Sequence, residues 1–324
     1  VVVALIAVYI GVRRTRVEVR HLCEALSVPE KPHSVRGVWY WIEKAPEGAQ
    51  LVQVKAEKKV VAAAKKIPAY WATPDALAWT EWDGALWHVY RSAADGSSRA
   101  DLFQSRNVLD AVWTDGSRTA WLEALPLPKT AARALPPLGP RTDVWVHDGR
   151  AASRMATLAE GLSNAQLFGT REDVLYVAGR RAEGIRVSMA YAVKPGAAPE
   201  RILSENGPID VALDGERLIW TAPSVESNYM LTACLKAMDL KSGKTRVVAD
   251  WLPAEGKLHR MRSGWALCAG LTETAWRVDE ARRCGRPIST PTTVWAIAAD
   301  DRGLIGVLRR KTKGNATIMR IQTP

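Results

Sequence analysis

The sequence predicts an all-β chain built from one repeated unit, and three observations carry that reading. Seven short apolar runs recur: Val38–Ile42, Leu77–Thr80, Thr119–Leu122, Val174–Val177, Leu218–Thr221, Trp265–Cys268 and Leu304–Val307. Their first residues stand 39, 42, 55, 44, 47 and 39 positions apart. Asp-Gly pairs begin at Asp83, Asp95, Asp115, Asp148 and Asp214, and that dipeptide supplies the positive φ that tight hairpin turns need. Long amphipathic helical patterns are nearly absent, while 23 Gly and 18 Pro in 324 residues suit many short elements. A period of about 40–45 residues with four strands per unit is that of a β-propeller blade. The expectation is a seven-bladed β-propeller; six or eight blades also fit, because one spacing is 55.

Taken in order, the chain opens on an uncharged apolar run, Val1–Val12, followed at once by Arg13, Arg14 and Arg16. Twelve residues fall short of the roughly 20 that span a bilayer, and the run begins without Met. It reads as the C-terminal part of a membrane helix or uncleaved export signal (residues 1–12), with a buried strand as the alternative. The basic flank favours a cytoplasmic domain. Exported single-anchor proteins often carry a stronger cluster before the helix, however, and the expectation is a membrane-anchored, extracytoplasmic domain.

Residues 13–35 read as a basic linker. Within it Thr15–Arg20 mostly alternates polar and apolar, which suits a strand that closes the last blade by pairing residues 15–22 with residues 316–322. The stretch Glu18–Leu26 reads otherwise as a short helix. Residues 36–324 form the propeller. Its apolar runs are continuous rather than alternating, as expected where the middle strands of a blade are buried on both faces. Trp is abundant, 14 against 7 Tyr and 2 Phe, and a wide side chain fills the gap between blades that splay with radius.

The clearest unit runs from Pro208 to Trp251. Pro208–Leu213 is its inner strand, Asp214-Gly215 a turn, Glu216–Thr221 the second strand, Tyr229–Leu240 the third, Ser242-Gly243 a turn and Lys244–Trp251 the fourth. The last unit offers only three strands, Val294–Ala299, Leu304–Arg309 and Ala316–Ile321. Between these regular units the segment Leu125–Thr142 stands out, with five Pro and the basic residues Lys129, Arg133 and Arg141 in a connection too long for a hairpin. Insertions on one rim are where such folds place recognition. Lys129, Arg133, Pro136, Pro137 and Arg141 are therefore the candidate partner-binding loop.

Within the clearest unit, Leu235–Thr245 (LKAMDLKSGKT) is similar to the strand–turn of the bacterial YVTN-like, TolB-like and quinoprotein-like propellers. The resemblance covers residues 36–324 as architecture and one unit as a sharp motif, and it carries no catalytic residue over. It implies a binding or scaffolding role in most such families, and an enzyme in a minority. No Gly-His…Trp-Asp pair recurs, so WD-repeat propellers fit less well.

Composition narrows the function. Hydrophobic residues at 47% and charged residues at 24% exclude a mostly disordered chain and a polytopic membrane protein. A formal charge of +11 attracts anions, but the basic residues are scattered in short runs, which speaks against nucleic acid. Cys23, Cys234, Cys268 and Cys284 lack metal-ligand spacing; a Cys268–Cys284 bridge is one option and buried thiols the other. His21, His33, His88, His147 and His259 are far apart in sequence, although a propeller can gather distant residues in its channel. His88 and His147 read as structural.

Other motifs resolve into ordinary structure. Ser242–Thr245 imitates a phosphate loop but has Met238 where the first Gly belongs, so it reads as a hairpin turn. Gly161–Ala165 imitates a nucleophile elbow without its strand–helix context and reads as a loop. Asn315-Ala316-Thr317 matches a glycosylation sequon without a secretory context. Blade packing accounts for Trp79, Trp121 and Trp220 without a quinone cofactor. No cofactor, catalytic residue or metal ligand is assigned.

The expectation for function is a membrane-anchored, non-catalytic scaffold binding protein or anionic polysaccharide in the bacterial cell envelope. A channel-sited hydrolase or lyase is the alternative, and the sensor domain of a longer receptor a third reading. A channel lined by three or more converging carboxylates, Asn or His favours the enzyme; small or apolar lining favours binding.

Overall fold

Short apolar runs punctuated by turns leave each stretch of backbone one economical way to satisfy its N–H and C=O groups, which is to pair with the next stretch. A computed structural model describes residues 18–125, 141–181, 187–207, 210–223, 232–253, 256–261, 264–269, 274–288, 294–300, 303–308 and 316–322. Every regular element among them is a β-strand. The apolar run 1–12 and the loop residues Lys129, Arg133, Pro136 and Pro137 lie outside the described residues. Among the described residues no helix is long and apolar enough to cross a membrane.

The strands follow the chain in antiparallel groups. After β1 (Glu18–Ala25) come β2 (Glu30–Val35), β3 (Val38–Ala45), β4 (Gly48–Val54) and β5 (Lys58–Ala64), of which β2 to β5 form one sheet. The next sheet is β6 (Lys66–Ala72), β7 (Ala76–Trp82), β8 (Trp87–Ala93) and β9 (Ala100–Ser105). It is followed by β10 (Val108–Thr114), β11 (Thr119–Leu125), β12 (Arg141–His147) and β13 (Ala152–Leu158). Then come β14 (Leu162–Arg171), β15 (Val174–Arg181), β16 (Val187–Val193) and β17 (Glu200–Asn206).

An eight-stranded sheet comes next. It contains β18 (Val211–Asp214), β19 (Arg217–Pro223), β20 (Thr232–Asp239) and β21 (Thr245–Pro253), then β22 (Gly256–Met261), β23 (Gly264–Ala269), β24 (Thr274–Asp279) and β25 (Cys284–Ile288). Its halves touch through one parallel bridge, Asp250 opposite Cys284. The last sheet is β26 (Val294–Asp300), β27 (Gly303–Leu308) and β28 (Ala316–Gln322) with β1 on its edge.

The N-terminal segment thus supplies the fourth strand of the C-terminal sheet. β1 runs antiparallel to β28, with Glu18 opposite Gln322 and Ala25 opposite Ala316. This corrects the helical reading of 18–26: the segment is a strand, because β28 offers a free edge whose N–H and C=O groups need partners.

Each apolar cluster straddles two consecutive groups. Leu51, Ile67 and Trp79 join the β2–β5 sheet to the β6–β9 sheet. Val89, Leu109 and Trp121 join the next pair, and Leu122, Val144 and Val177 the pair after that. Tyr176, Leu218 and Trp220 follow, then Ile219, Leu235 and Leu267. Ala266, Leu304 and Ile321 come next. Finally Trp39, Trp41, Ile305 and Ile318 join the last sheet to the first, closing a ring. Neighbouring residues of a second strand therefore enter opposite cores: Tyr176 and Val177, Ile219 and Trp220, Leu304 and Ile305. That is why the runs are continuous. The spacing of 55 falls where the connection between β11 and β12 is long.

Candidate channel site

The first strands of the groups face the centre. β10 packs against both β6 and β14, β14 against β18, β22 against β26, and β26 against β2. Ser34 Oγ of β2 donates to Asp300 Oδ2 of β26 at 3.1 Å, tying the two ends of the ring together. Five of these strands carry a break in register at the same stage: between Glu30 and His33, Lys66 and Ala69, Leu109 and Ala111, Ser163 and Gln166, and Ala296 and Ala298. Such bulges lift residues off the ladder and re-aim their side chains. The lifted residues include Lys31, Pro32, Pro68 and Asp110. Pro32 and Pro68 fit because a bulged position owes the ladder no N–H.

This geometry brings distant ionisable groups together. Burial holds the Lys31 ammonium below its ordinary value; Asp110 opposes that shift and Lys257 adds to it. Burial pushes both His33 and His259 down to about 4, with Asp210 opposing and His33 and Lys257 reinforcing the shift at His259. Both imidazoles are therefore neutral at pH 7. Yet Lys31 is exposed and the two histidines are partly exposed. Groups that lie deep in a protein and still touch solvent line an internal opening, and first strands ringed around one axis leave such an opening at the centre.

Local contacts fix the members. Lys257 Nζ donates to Asp210 Oδ1 at 2.8 Å, and Leu258 N to Asp210 Oδ2 at 2.7 Å, so a residue just before β18 orients β22. His33 stacks on Trp71 of β6, with ring centroids 5.8 Å apart. Lys31 Nζ donates to Pro68 O at 2.6 Å. His259 Nε2 is buried without a hydrogen-bond partner among the described residues. The other unpartnered buried polar atoms, on Trp39, Thr80, Trp121, Trp265 and Arg277, belong to second or third strands. Among the described residues, His259 alone leaves such an atom on a first strand. Among them too, no group of three or more His, Cys, Asp or Glu is placed to hold a metal ion.

The remaining sequence-level candidates go elsewhere. Arg141 begins β12, exposed and opposite Leu125, away from the channel strands. His21 is exposed beside Glu24. His147 Nδ1 accepts from Gly149 N at 3.0 Å in a turn, and burial lowers its proton affinity. His88 lies between two carboxylates, with Nδ1 3.0 Å from Asp101 Oδ2 and Nε2 3.1 Å from Asp83 Oδ2. Burial opposes its charge, but those two partners outweigh burial and raise its proton affinity.

Asp239 Oδ1 accepts from Lys241 N and Ser242 N, and Gly243 has φ +69°, so Ser242–Thr245 is the turn between β20 and β21. Residues 162–165 open β14, which corrects the loop reading of Gly161–Ala165. All four cysteines are free thiols, Cys234 and Cys268 buried.

Sequence reading missed Lys31, Asp110, Asp210 and Lys257, and it did not bring His33 to His259. A signal existed for the bulges: Pro32 and Pro68 inside otherwise strand-like runs.

No family model and no curated protein matches the sequence. Solved structures do match its fold. The chain is similar to an oligogalacturonate lyase from Vibrio parahaemolyticus at 9% identity and TM-score 0.68, over 96% of this chain and 95% of that one. It is similar to an oligogalacturonate lyase in complex with manganese at 9% identity and TM-score 0.63, over 89% and 86%. The β-propeller domain of the Trilobed protease from Pyrococcus furiosus, described as having an open velcro topology, gives 12% identity and TM-score 0.57, over 94% and 96%.

These findings correct the expectation of a non-catalytic scaffold. Two structures that resemble the chain along most of its length are oligogalacturonate lyases. They fit the hydrolase or lyase alternative better than the scaffold. With its ring of antiparallel sheets and these likenesses, the chain has a β-propeller fold.

Proposed function

We infer that this protein is a seven-bladed propeller enzyme, a hydrolase or lyase acting on an oligosaccharide in its central channel. One observation carries the reading: His33, His259, Asp210, Lys257, Lys31 and Asp110 come from three separate sheets and bear on one another's charge. Charged groups that are costly to bury converge where no core packing needs them.

His259 is the proton acceptor of this reading. Its imidazole is neutral at pH 7, and its Nε2 has no partner among the described residues. The Lys257–Asp210 pair fixes the strand that carries it. The oligogalacturonate lyases of the same fold point to acidic oligosaccharides as the first substrates to try. In a lyase step, Nε2 would take the proton on the carbon next to a carboxylate. The C–H electrons would form the new double bond, and the glycosidic C–O bond on the adjacent carbon would break, its oxygen taking a proton. No step here runs through a metal, since no described group of side chains is placed to hold one. The apolar run Val1–Val12 supports attachment of this enzyme to a membrane.

The test is to incubate the full chain with acidic and neutral oligosaccharides, following new reducing ends and the ultraviolet absorbance of an unsaturated product. Cleavage by the wild type, reduced ~100-fold or more in His259→Gln with an unchanged Tm at pH 7, is the expected result. Absence of cleavage across both substrate classes, or full activity in His259→Gln, would overturn the reading.

A further inference from the structure

His88 lies outside the channel, and its surroundings fix its charge. Nδ1 is 3.0 Å from Asp101 Oδ2 and Nε2 is 3.1 Å from Asp83 Oδ2, while the side chain is 9% exposed. An ionised carboxylate only accepts hydrogen bonds, so both ring nitrogens must donate. A neutral imidazole has a single N–H and would set its other lone pair against an oxygen. The geometry therefore fits the imidazolium. Tyr90 stacks on the ring, with centroids 5.5 Å apart, and keeps it between the two acids.

Asp83 is also a wall of a groove of about 350 Å³ between the first two sheets. The β3–β4 turn, the link from β5 to β6 and the end of β7 enclose it. Gly48 brings the turn so close to the link that a Cβ there would lie 2.2 Å from Ala64 O, and the small Ala45, Ala49 and Ala63 leave the groove unfilled. Asp83 Oδ1 accepts from Ala85 N at 2.7 Å and Leu86 N at 2.9 Å, which fixes the β7–β8 turn. Among the described residues, Oδ2 has His88 as its one partner. Lys65, on the link, runs beside this turn: a Cβ on Gly84 would touch Lys65 Cγ at 4.0 Å. Yet the Lys65 ammonium makes no ion pair with a described residue. The other charged groups nearby are Glu81, held by Arg99 and Trp79, Lys66, which lies over the Trp87 ring, and Glu47 on the far side of the groove.

We propose that His88 is a latch worked by pH: charged, it holds Asp83 against β8, and on losing its Nε2 proton it releases Asp83 to Lys65 across the groove. Of the two acids, Asp83 is the one let go. Its side chain is 49% exposed against 30% for Asp101, so water replaces the imidazole there more readily, and Lys65 stands beside it. Asp101 Oδ2 stays bound to Nδ1–H and to Gln104 Nε2 at 2.8 Å. Burial opposes the charge on His88, but the bonds to Asp101 and Asp83 outweigh it, so release comes above the ordinary histidine value of 6.5. The latch is independent of the chemistry assigned to His259.

The experiment follows the full chain from pH 5.5 to pH 9.5 by nitrogen-15 NMR of the histidine rings and by amide exchange. His88 should carry protons on both nitrogens at pH 6, and the form above its transition should be bare at Nε2. Protection of the Ala85 and Leu86 amides, corrected for the intrinsic rate at each pH, should fall about tenfold through the same transition. Acylation of Lys65 relative to the exposed Lys55 should fall about threefold, as one exposed ion pair forms. Asp83→Asn keeps an acceptor for the two amides and offers an N–H to a neutral imidazole, so it should remove both steps and lower the His88 transition. A singly protonated ring at pH 6 overturns the proposal, as does a bare Nδ1 above the transition. Amide protection or a Lys65 ratio that stays flat through the transition overturns it too. The wild-type spectra decide these points even where a variant fails to fold.

Discussion

Between the sheets and around the channel, the same chain treats its charged groups in opposite ways. Second strands carry a recurring Trp-x-Glu: Trp41-Ile42-Glu43, Trp79-Thr80-Glu81 and Trp121-Leu122-Glu123. Trp41 Nε1 and Trp79 Nε1 donate to Glu43 and Glu81 at 2.7 Å, and Trp145 Nε1 to Glu123 at 2.9 Å. Each carboxylate has further donors: Lys58 and Leu26 N for Glu43, Arg99 for Glu81, and Ser105 and Asn107 for Glu123. In the channel, His259 Nε2 has no described partner and Lys31 has a single neutral one. The carboxylates between the sheets are saturated and lock neighbouring strands, although the indole N–H groups of Trp39, Trp121 and Trp265 beside them have no described partner.

The comparison breaks most sharply at Glu43. Its side chain is fully buried, so Glu43→Ala should cost about 3 kcal/mol, because it leaves Lys58 Nζ, an indole N–H and a backbone N–H without their acceptor. A fall in Tm of roughly 4–5 °C is expected in a thermal melt. A change under about 1 °C would mean that the saturated pairs do not hold the sheets.

A smaller effect concerns acid. His33 and His259 titrate at about 4 in the folded state against 6.5 unfolded. The unfolded chain therefore binds more protons between these values, and stability is lost as pH falls from about 6.5 to about 4. The double variant His33→Gln/His259→Gln should flatten that limb of a Tm-against-pH curve. An unaltered limb would show that the channel does not hold these imidazoles neutral.

The smallest effect sharpens the contrast from the rim. His88, held between Asp83 and Asp101, has a raised folded value. Its stabilisation is fully present below pH 6.5 and fades as pH rises through that folded value, the reverse of the channel pair. His88→Gln should lower Tm by roughly 1–2 °C at pH 5.5 and leave it unchanged at pH 9. Oligosaccharide cleavage should be unaffected. A larger loss at high pH than at low pH would invert the assignment.

Much of the fold was legible because its causes are local. Each of the seven apolar runs lies on the second strand of a group, where burial on both faces demands consecutive apolar residues. The alternation in Thr15–Arg20 pointed to a strand, and β1 occupies Glu18–Ala25 against β28. The competing helix at 18–26 looked equally good locally, and only the free edge of β28 decides between them. The channel was far less legible. His33 and His259 stand 226 residues apart in the chain, and nothing in the spacing of either one pointed to the other.

Read alone, the sequence determines the unit: which residues form strands, where the chain turns, and that a two-faced core lies between successive groups. These follow from hydrophobic period and turn chemistry, which act over a few residues. Tertiary structure decides which first-strand side chains meet. That depends on the closure of the ring, which brings β22 near β2, and on bulges that re-aim Lys31 and Asp110. Convergence of this kind is set by geometry summed over the whole circuit, so no local pattern records it.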